Sequence, residues 1–181
     1  MIKSEVKMQG IVTRQLFDKN GKAKKMFSEN SLWKFFANKF GIDLRIPFIT
    51  GMWTSQAIKC NTITTVGKQV CAKQLGGTTT APVTAVAIGI GTPSATALGS
   101  EITTLGGQRG AATVTNITTT TTGDTENWNK IYTFTGSFAI TEEGLFDNNT
   151  SGGNMLASQT FAAINVISGD QVVISHSVKF S

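Results

Sequence analysis

The sequence predicts a mainly β protein: an antiparallel β-sandwich, jelly-roll or immunoglobulin-like, with an N-terminal hairpin and one short apolar helix. Two observations carry this expectation. In the closing stretch, Val172, Ile174, His176, Val178 and Phe180 fall on one face and Ser175, Ser177 and Lys179 on the other, the period-2 pattern of a half-buried strand. From Gly76 onward the composition turns to Gly, Thr, Ala and Val, with β-branched runs separated by turn signals, as in an antiparallel sandwich. No repeat of fixed period is present, which argues against a solenoid or fibre shaft.

Taken in order, Gly10–Phe17 and the KAKKMF run flank Asp18-Lys19-Asn20-Gly21, and Asn20-Gly21 supplies positive-φ residues for a tight hairpin turn. Next, Leu32, Phe35, Phe36 and Phe40 recur at helical spacing. Ser28 or Ser31 is expected as the N-cap and Gly41 as the left-handed C-terminal cap. So apolar a helix must be covered by the domain or by another chain, and the domain's own core is the favoured cover. Residues 42–75 read as extended structure and loops. VTAVAIGIG reads as a buried strand, 102–105 as a strand broken by Gly106-Gly107, and 111–122 as a β-branched run followed by a turn at 123–129. Tyr132, Phe134, Phe138 and Ile140 share one face of the next strand. The C-terminal block reads as a strand, a loop carrying E-E-G-L-F-D, a second strand, a turn at 168–170 and the closing strand.

With 181 residues, 40% hydrophobic and 15% charged, the chain can bury a core of its own. Its charge is divided sharply. Residues 1–75 hold 11 Lys and 2 Arg against four acids, net +9, and residues 76–181 are net −4. The expected organisation is therefore a basic segment 1–75, serving as an anchor or as part of the same core, and a Thr/Gly-rich sandwich at 76–181. Cys60 and Cys71 are the only cysteines. Two reduced thiols are expected, although a single bridge closing the 60–71 loop stays open. Neither a signal peptide nor an apolar run long enough to span a bilayer is read, and a cytoplasmic site of synthesis without membrane attachment is expected.

Catalytic chemistry finds little material. His176 is the only histidine, lies on an apolar strand face and is expected to be a core residue without a second base nearby. Glu142 and Glu143 are adjacent, so on a strand they point to opposite faces and do not converge on one substrate. Gly89-Ile90-Gly91-Thr92 lacks the Gly-Lys-Ser/Thr ending of a phosphate loop, and its glycines are expected to allow close packing. Asp147-Asn148-Asn149 reads as a turn rather than a calcium site. The basic run KNGKAKK has no interleaved aromatic residues, which makes nucleic acid an unfavoured partner. No catalytic, cofactor or metal residues are expected.

Asp18–Lys22, Asn30–Trp33, the segment AIGIGTPSATALGSE (87–101) and the segment beginning I-T-E-E-G-L-F and ending N-V-I-S-G-D (140–170) together resemble a family of small tailed-bacteriophage structural proteins. The last segment is also similar to collar-type domains by which tail fibres attach. The resemblance covers nearly the full length and implies a non-enzymatic virion component, with motifs that determine the fold. A head-decoration or cement protein is the favoured role. A collar, neck, baseplate or tail-fibre attachment protein is the alternative, and a carbohydrate-binding adhesin is a weaker one, since of the candidate stacking rings Trp33, Trp53, Trp128 and Tyr132 the first two are expected to lie in cores. The implied partners are the major capsid protein or other virion proteins, and self-association, a trimer over a dimer, is expected. Partner contacts are expected at Lys19, Lys22, Lys24 and Lys25 on the hairpin and at Glu142, Glu143, Leu145 and Phe146 in the C-terminal block. The long apolar stretch 42–56 and the threonine-rich run 117–122 have no role that the resemblance explains.

Overall fold

Gln171–Phe180 is a strand, and along its whole length it pairs antiparallel with Met8–Phe17. The first and last strands thus lie side by side in one sheet. The computed structural model describes residues 7–78 and 81–181. Its elements in chain order are β1 (Met8–Phe17), β2 (Ala23–Lys24), β3 (Met26–Glu29), α1 (Ser31–Phe40), β4 (Gly51–Thr54), β5 (Gln56–Cys60), β6 (Thr62–Ile63), α2 (Thr65–Leu75), β7 (Ala85–Gly89), β8 (Gly110–Ala111), β9 (Thr113–Ile117), β10 (Thr125–Thr133), β11 (Phe138–Phe146), β12 (Met155–Val166) and β13 (Gln171–Phe180).

All ladders between these strands are antiparallel. One sheet runs β2-β1-β13-β10-β9, with β5 also paired to β1. A second runs β6-β12-β11-β7-β8, and β3-β4 make a separate ribbon. The two larger sheets share one core: Val12, Leu16, Val172, Ile174 and Val178 from the first meet Val86, Ile88, Ile140, Leu145 and Phe161 from the second. Trp128 Nε1 donates to the Val83 carbonyl at 2.7 Å and the Tyr132 hydroxyl to Val86 at 2.8 Å. The polar ends of two buried rings are thereby satisfied across the gap. The +9/−4 division in charge is not a division of the fold. β1 and β5 belong to the basic segment yet share a sheet with β10 and β13, and β6 extends the other sheet.

Several expectations need correction. Gly21 alone takes the positive φ of the hairpin turn (76°); Asn20 does not. The turn is closed instead by Asp18, whose Oδ1 accepts from the amides of Asn20 (2.8 Å) and Lys22 (2.9 Å), an Asx-type turn. Asn30, not Ser28 or Ser31, caps α1, accepting from Leu32 and Trp33, while Gly41 takes the left-handed C-terminal position at φ 65°. Among the described residues there are two helices, not one. The second, α2, is weakly amphipathic because Gly67 sits inside it. A Cβ at Gly67 would come 1.9 Å from the Leu156 carbonyl oxygen, so the helix backbone lies directly on β12.

Residues 102–105 form no strand; Leu105 and Gly106, both at positive φ, make a turn there. The turn expected at 123–129 lies earlier, because β10 already begins at Thr125. Tyr132 and Phe134 do not share a strand with Phe138 and Ile140. The chain bends near Gly136 and passes from one sheet to the other. The segment E-E-G-L-F is no loop: it is the C-terminal half of β11, buried between β7 and β12.

Gly67→Ala should destabilise the fold by about 2 kcal/mol, although alanine is the better helix former, because its methyl group meets strand backbone. Chemical denaturation monitored by circular dichroism checks this, and an unchanged midpoint would mean that α2 does not pack on β12 as described.

Candidate functional site

The eight residues expected to contact partners fall into two groups with opposite fates. Lys19, Lys22 and Lys25 are exposed on the hairpin. Lys24 is half-exposed, and its ammonium lies 2.6 Å from the buried Asp170 carboxylate, so it ties the hairpin to the 167–170 turn. Glu142, Glu143, Leu145 and Phe146 are all interior, and none of them offers a docking surface. Leu145 and Phe146 belong to apolar core clusters, and the two glutamates find hydrogen-bond partners far away in sequence.

Glu142 accepts from the backbone amides of Gly91 (3.0 Å), Gly99 (2.9 Å) and Ser100 (2.8 Å). The neighbouring Thr141 hydroxyl donates to the Gly91 carbonyl at 2.8 Å. One carboxylate therefore staples the whole 91–100 loop to β11, with charge-assisted bonds that are stronger than neutral ones. A Cβ at Gly89 would come 2.4 Å from the Glu142 carboxylate oxygen, which explains a glycine at that position. The two motifs 87–101 and 140–146 are in this way two halves of one structural device. Glu101, at the end of the first motif, makes a bidentate pair with Arg109 (2.8 and 2.5 Å), and that guanidinium also stacks 3.6 Å above Phe146.

Glu143 points the other way, into the sandwich, where its carboxylate lies 3.0 Å from His176 Nδ1. The other ring nitrogen of His176 meets the Asn61 side-chain amide. The expectation that no second ionisable group stands beside His176 is thus corrected. Both side chains are wholly buried, so the pair bridges the two sheets and no atom of it reaches solvent. Nearby, Arg14 is buried over the Phe161 ring at 4.1 Å and lies 3.7 Å from Glu29, which Lys59 approaches to 2.8 Å. Burial pushes the Arg14 guanidinium and the Lys59 ammonium down, and in each case Glu29 pulls it partly back. Glu29 ends β3, immediately before α1. It fixes the root of the α1–β4 segment to the core.

That segment is the part of the surface that the sequence reading missed. Of α1 only Trp33 is buried. Trp33 packs with Phe27 and Ala162, and its Nε1 donates to Asp43 at 2.8 Å. The expectation of a covered helix is overturned, since Leu32, Phe35 and Phe40 face solvent, followed by Ile42, Ile46, Phe48, Ile49, Met52 and Trp53. Trp53 is 46% exposed, contrary to its expected core position, whereas Trp128 and Tyr132 are interior and offer no stacking surface for a sugar. Phe48 is 85% exposed and adopts φ 66°. A left-handed conformation costs a non-glycine residue about 1–2 kcal/mol. A buried clamp enforces it: Thr50 Oγ1 donates to the Leu44 carbonyl (2.6 Å) and accepts from the Ile46 amide (2.8 Å), and the Phe48 amide donates to Gly51 (2.8 Å).

Two adjoining clefts of about 410 and 370 Å3 run between α1, the 90–95 loop and β12, with Lys34, Asn38, Thr92 and Thr160 lining both. The larger is walled mainly by threonine, serine and amide side chains, with Lys34 as its one charged group. Asp147 accepts from the Asn154 amide and side chain at 2.6 and 2.7 Å, which closes the 147–154 turn. Asp124 gathers the threonine-rich run, accepting from the amides of Thr119, Thr120 and Thr121; these bonds hold its carboxyl far below the usual range. Cys60 and Cys71 are separate thiols, and burial pushes Cys71 up. Among the described residues no helix is long and apolar enough to cross a membrane, and no group of three metal-ligating side chains occurs. No protein-family model matches the chain, and neither a curated protein nor a solved structure similar to it is found.

Glu142→Gln should cost about 3 kcal/mol, because it replaces charge-assisted bonds and sets an amide N–H against the amides of the loop. Urea denaturation reads this directly. For Asp124 the pKa is lowered in the fold, so its contribution is fully present above the ordinary carboxyl value of 3.8 and fades as pH falls below it. Amide exchange at Thr119–Thr121 should therefore accelerate selectively in acid, and Asp124→Asn should reproduce that loss at pH 7. Protection that does not change with pH would exclude the carboxylate cradle.

Proposed function

We propose that this chain is a non-enzymatic structural component of a tailed-bacteriophage particle, a head-decoration or cement protein that docks through its α1–β4 segment. One observation carries the reading: nine large apolar side chains between Leu32 and Trp53 stand exposed on a segment rooted in the core by Glu29. Apolar patches of this kind mark protein–protein contact sites, and a non-glycine residue held at positive φ to present an aromatic ring outward points the same way. The resemblance of segments 87–101 and 140–170 to small virion proteins supplies the kind of partner, the major capsid protein or another particle protein. The interior placement of Glu142, Glu143 and His176 fits this reading, since these groups act on the fold. A collar or tail-fibre attachment role is the second reading, favoured by the collar-like C-terminal segment.

Quantitative mass spectrometry of purified particles separates the two, because symmetry fixes copy number. Copies in the hundreds mean decoration, and a few to a dozen mean neck or tail. Absence from purified particles overturns both. Phe35→Ser combined with Phe48→Ser should abolish incorporation and leave the circular dichroism spectrum and thermal midpoint of the isolated protein unchanged. Normal incorporation of that variant would place docking elsewhere.

A further inference from the structure

All ten carboxylates of the described residues are engaged within the fold. Asp18 closes the hairpin turn, Glu29 holds Lys59, and Asp43 holds Arg45 and Trp33. Glu101 grips Arg109, Asp124 the threonine run, and Glu126 the Asn116 amide. Glu142 staples the 91–100 loop, Glu143 meets His176, Asp147 closes its turn and Asp170 takes Lys24. Asp43 stays half-exposed but is held by Arg45, and the exposed Lys19, Lys22, Lys25 and Lys39 pair with none of these carboxylates.

On the outer side of α1 a lysine and apolar side chains meet. Phe35, Phe36 and Phe40 form one cluster, with ring centroids 5.6, 5.7 and 6.1 Å apart. The Lys39 ammonium sits 5.5 Å from the Phe35 ring and 6.0 Å from Phe40, a cation–π arrangement. Among the described residues Lys39 makes no ion pair with a carboxylate. The exposed aromatic face therefore carries a positive charge at its centre and no anion of its own.

We infer that this face takes a protein surface in which carboxylates surround an apolar patch, and not a second copy of the chain. The inference rests on the docking role proposed above. Charge complementarity selects the partner. In a symmetric self-contact the same patch faces itself, so two Lys39 ammonium groups would be brought together. Among the described residues the side-chain carboxylates of a second copy are already bonded within its own fold, and the half-exposed Asp43 is held by Arg45, so another face of that copy competes poorly for Lys39 with a surface of unpaired carboxylates. An acidic partner supplies what is missing, and desolvation by the phenylalanines strengthens its attraction to Lys39. The same residues explain why an apolar helix need not drive aggregation: like charges keep free copies apart until an acidic surface is met.

The test uses the full-length protein and two fluorescent probes: anilinonaphthalene sulfonate, which is aromatic and anionic, and N-phenylnaphthylamine, its neutral relative. Wild type should bind the anionic probe more tightly. Lys39→Glu should weaken that binding about fivefold, within the range of one partly desolvated charge pair, and leave the neutral probe within about twofold. Phe35→Ser/Phe40→Ser should lose both probes and keep its thermal midpoint. Equal binding of the anionic probe by wild type and Lys39→Glu overturns the inference. Particle incorporation then separates the two levels of the account. Loss in both variants supports the acidic partner. Loss in the phenylalanine variant alone leaves docking in place and overturns the acidic partner, and loss in neither overturns docking itself. Two further outcomes would overturn it: concentration-dependent dimers abolished by Phe35→Ser/Phe40→Ser would assign the face to a second copy, and co-sedimentation of wild type, but not Lys39→Glu, with phosphatidylserine vesicles would assign it to a lipid surface.

Discussion

The internal engagement of carboxylates is the constraint on which this molecule depends. A carboxylate removed from water must recover its lost hydration through charge-assisted bonds, and here the three buried glutamates Glu29, Glu142 and Glu143 find partners distant in sequence. Glu142 draws in a ten-residue loop by three backbone amides, Glu143 reaches His176 across the sandwich, and Glu29 is buried against Lys59 and Arg14. Each interaction crosses between elements that strand pairing alone leaves unconnected. Together they fix the loops and the α1–β4 segment relative to two sheets whose shared core is otherwise aliphatic and aromatic.

The same constraint shapes the surface. With the acids occupied, the exposed charge is mostly lysine, and the formal net charge is +5. The apolar side chains from Leu32 to Trp53 lie outside the core because the sandwich interior is already filled from both sheets. At its base a small apolar cluster of Phe27, Trp33 and Ala162, with Ala37 packed against it, joins Glu29 in holding the segment down, and α1 and the 42–53 stretch present their remaining apolar groups outward. Core, loop staples and exposed apolar face are consequences of one distribution of charged and apolar residues.

Much of the fold was legible in the sequence because its signals are local. The alternation of Val172 to Val178, Gly21 in the hairpin turn, Gly41 after the phenylalanine-rich helix and the apolar run of β7 each depend on near neighbours. What escaped was non-local. The E-E-G-L-F segment reads as a loop because two adjacent glutamates look solvated, and only Gly91, Gly99, Ser100 and His176 make their burial tolerable. The helix α2 was hidden because Gly67, a poor helix residue, is required where backbone lies on β12; Thr64 before it and Gly76 after it were the available signals. The helical period of α1 was plain, but periodicity reports an apolar face and not what covers it. The candidate site was consequently half read. The lysines of the basic hairpin do lie at the surface, whereas Glu142, Glu143, Leu145 and Phe146 are interior and the apolar helix expected in the core is exposed.

A photo-crosslinking amino acid at position 48, where the wild-type ring is 85% exposed, tests the central claim most directly. The labelled protein would be incorporated during particle assembly and irradiated, and its adducts would be sequenced, with a second label at Thr115 on the exposed edge strand β9 as the control position. The account predicts adducts from position 48 to a different particle protein, at a segment rich in aspartate or glutamate, and few from position 115. Adducts from position 115 alone, or from position 48 only to other copies of this chain, would contradict it.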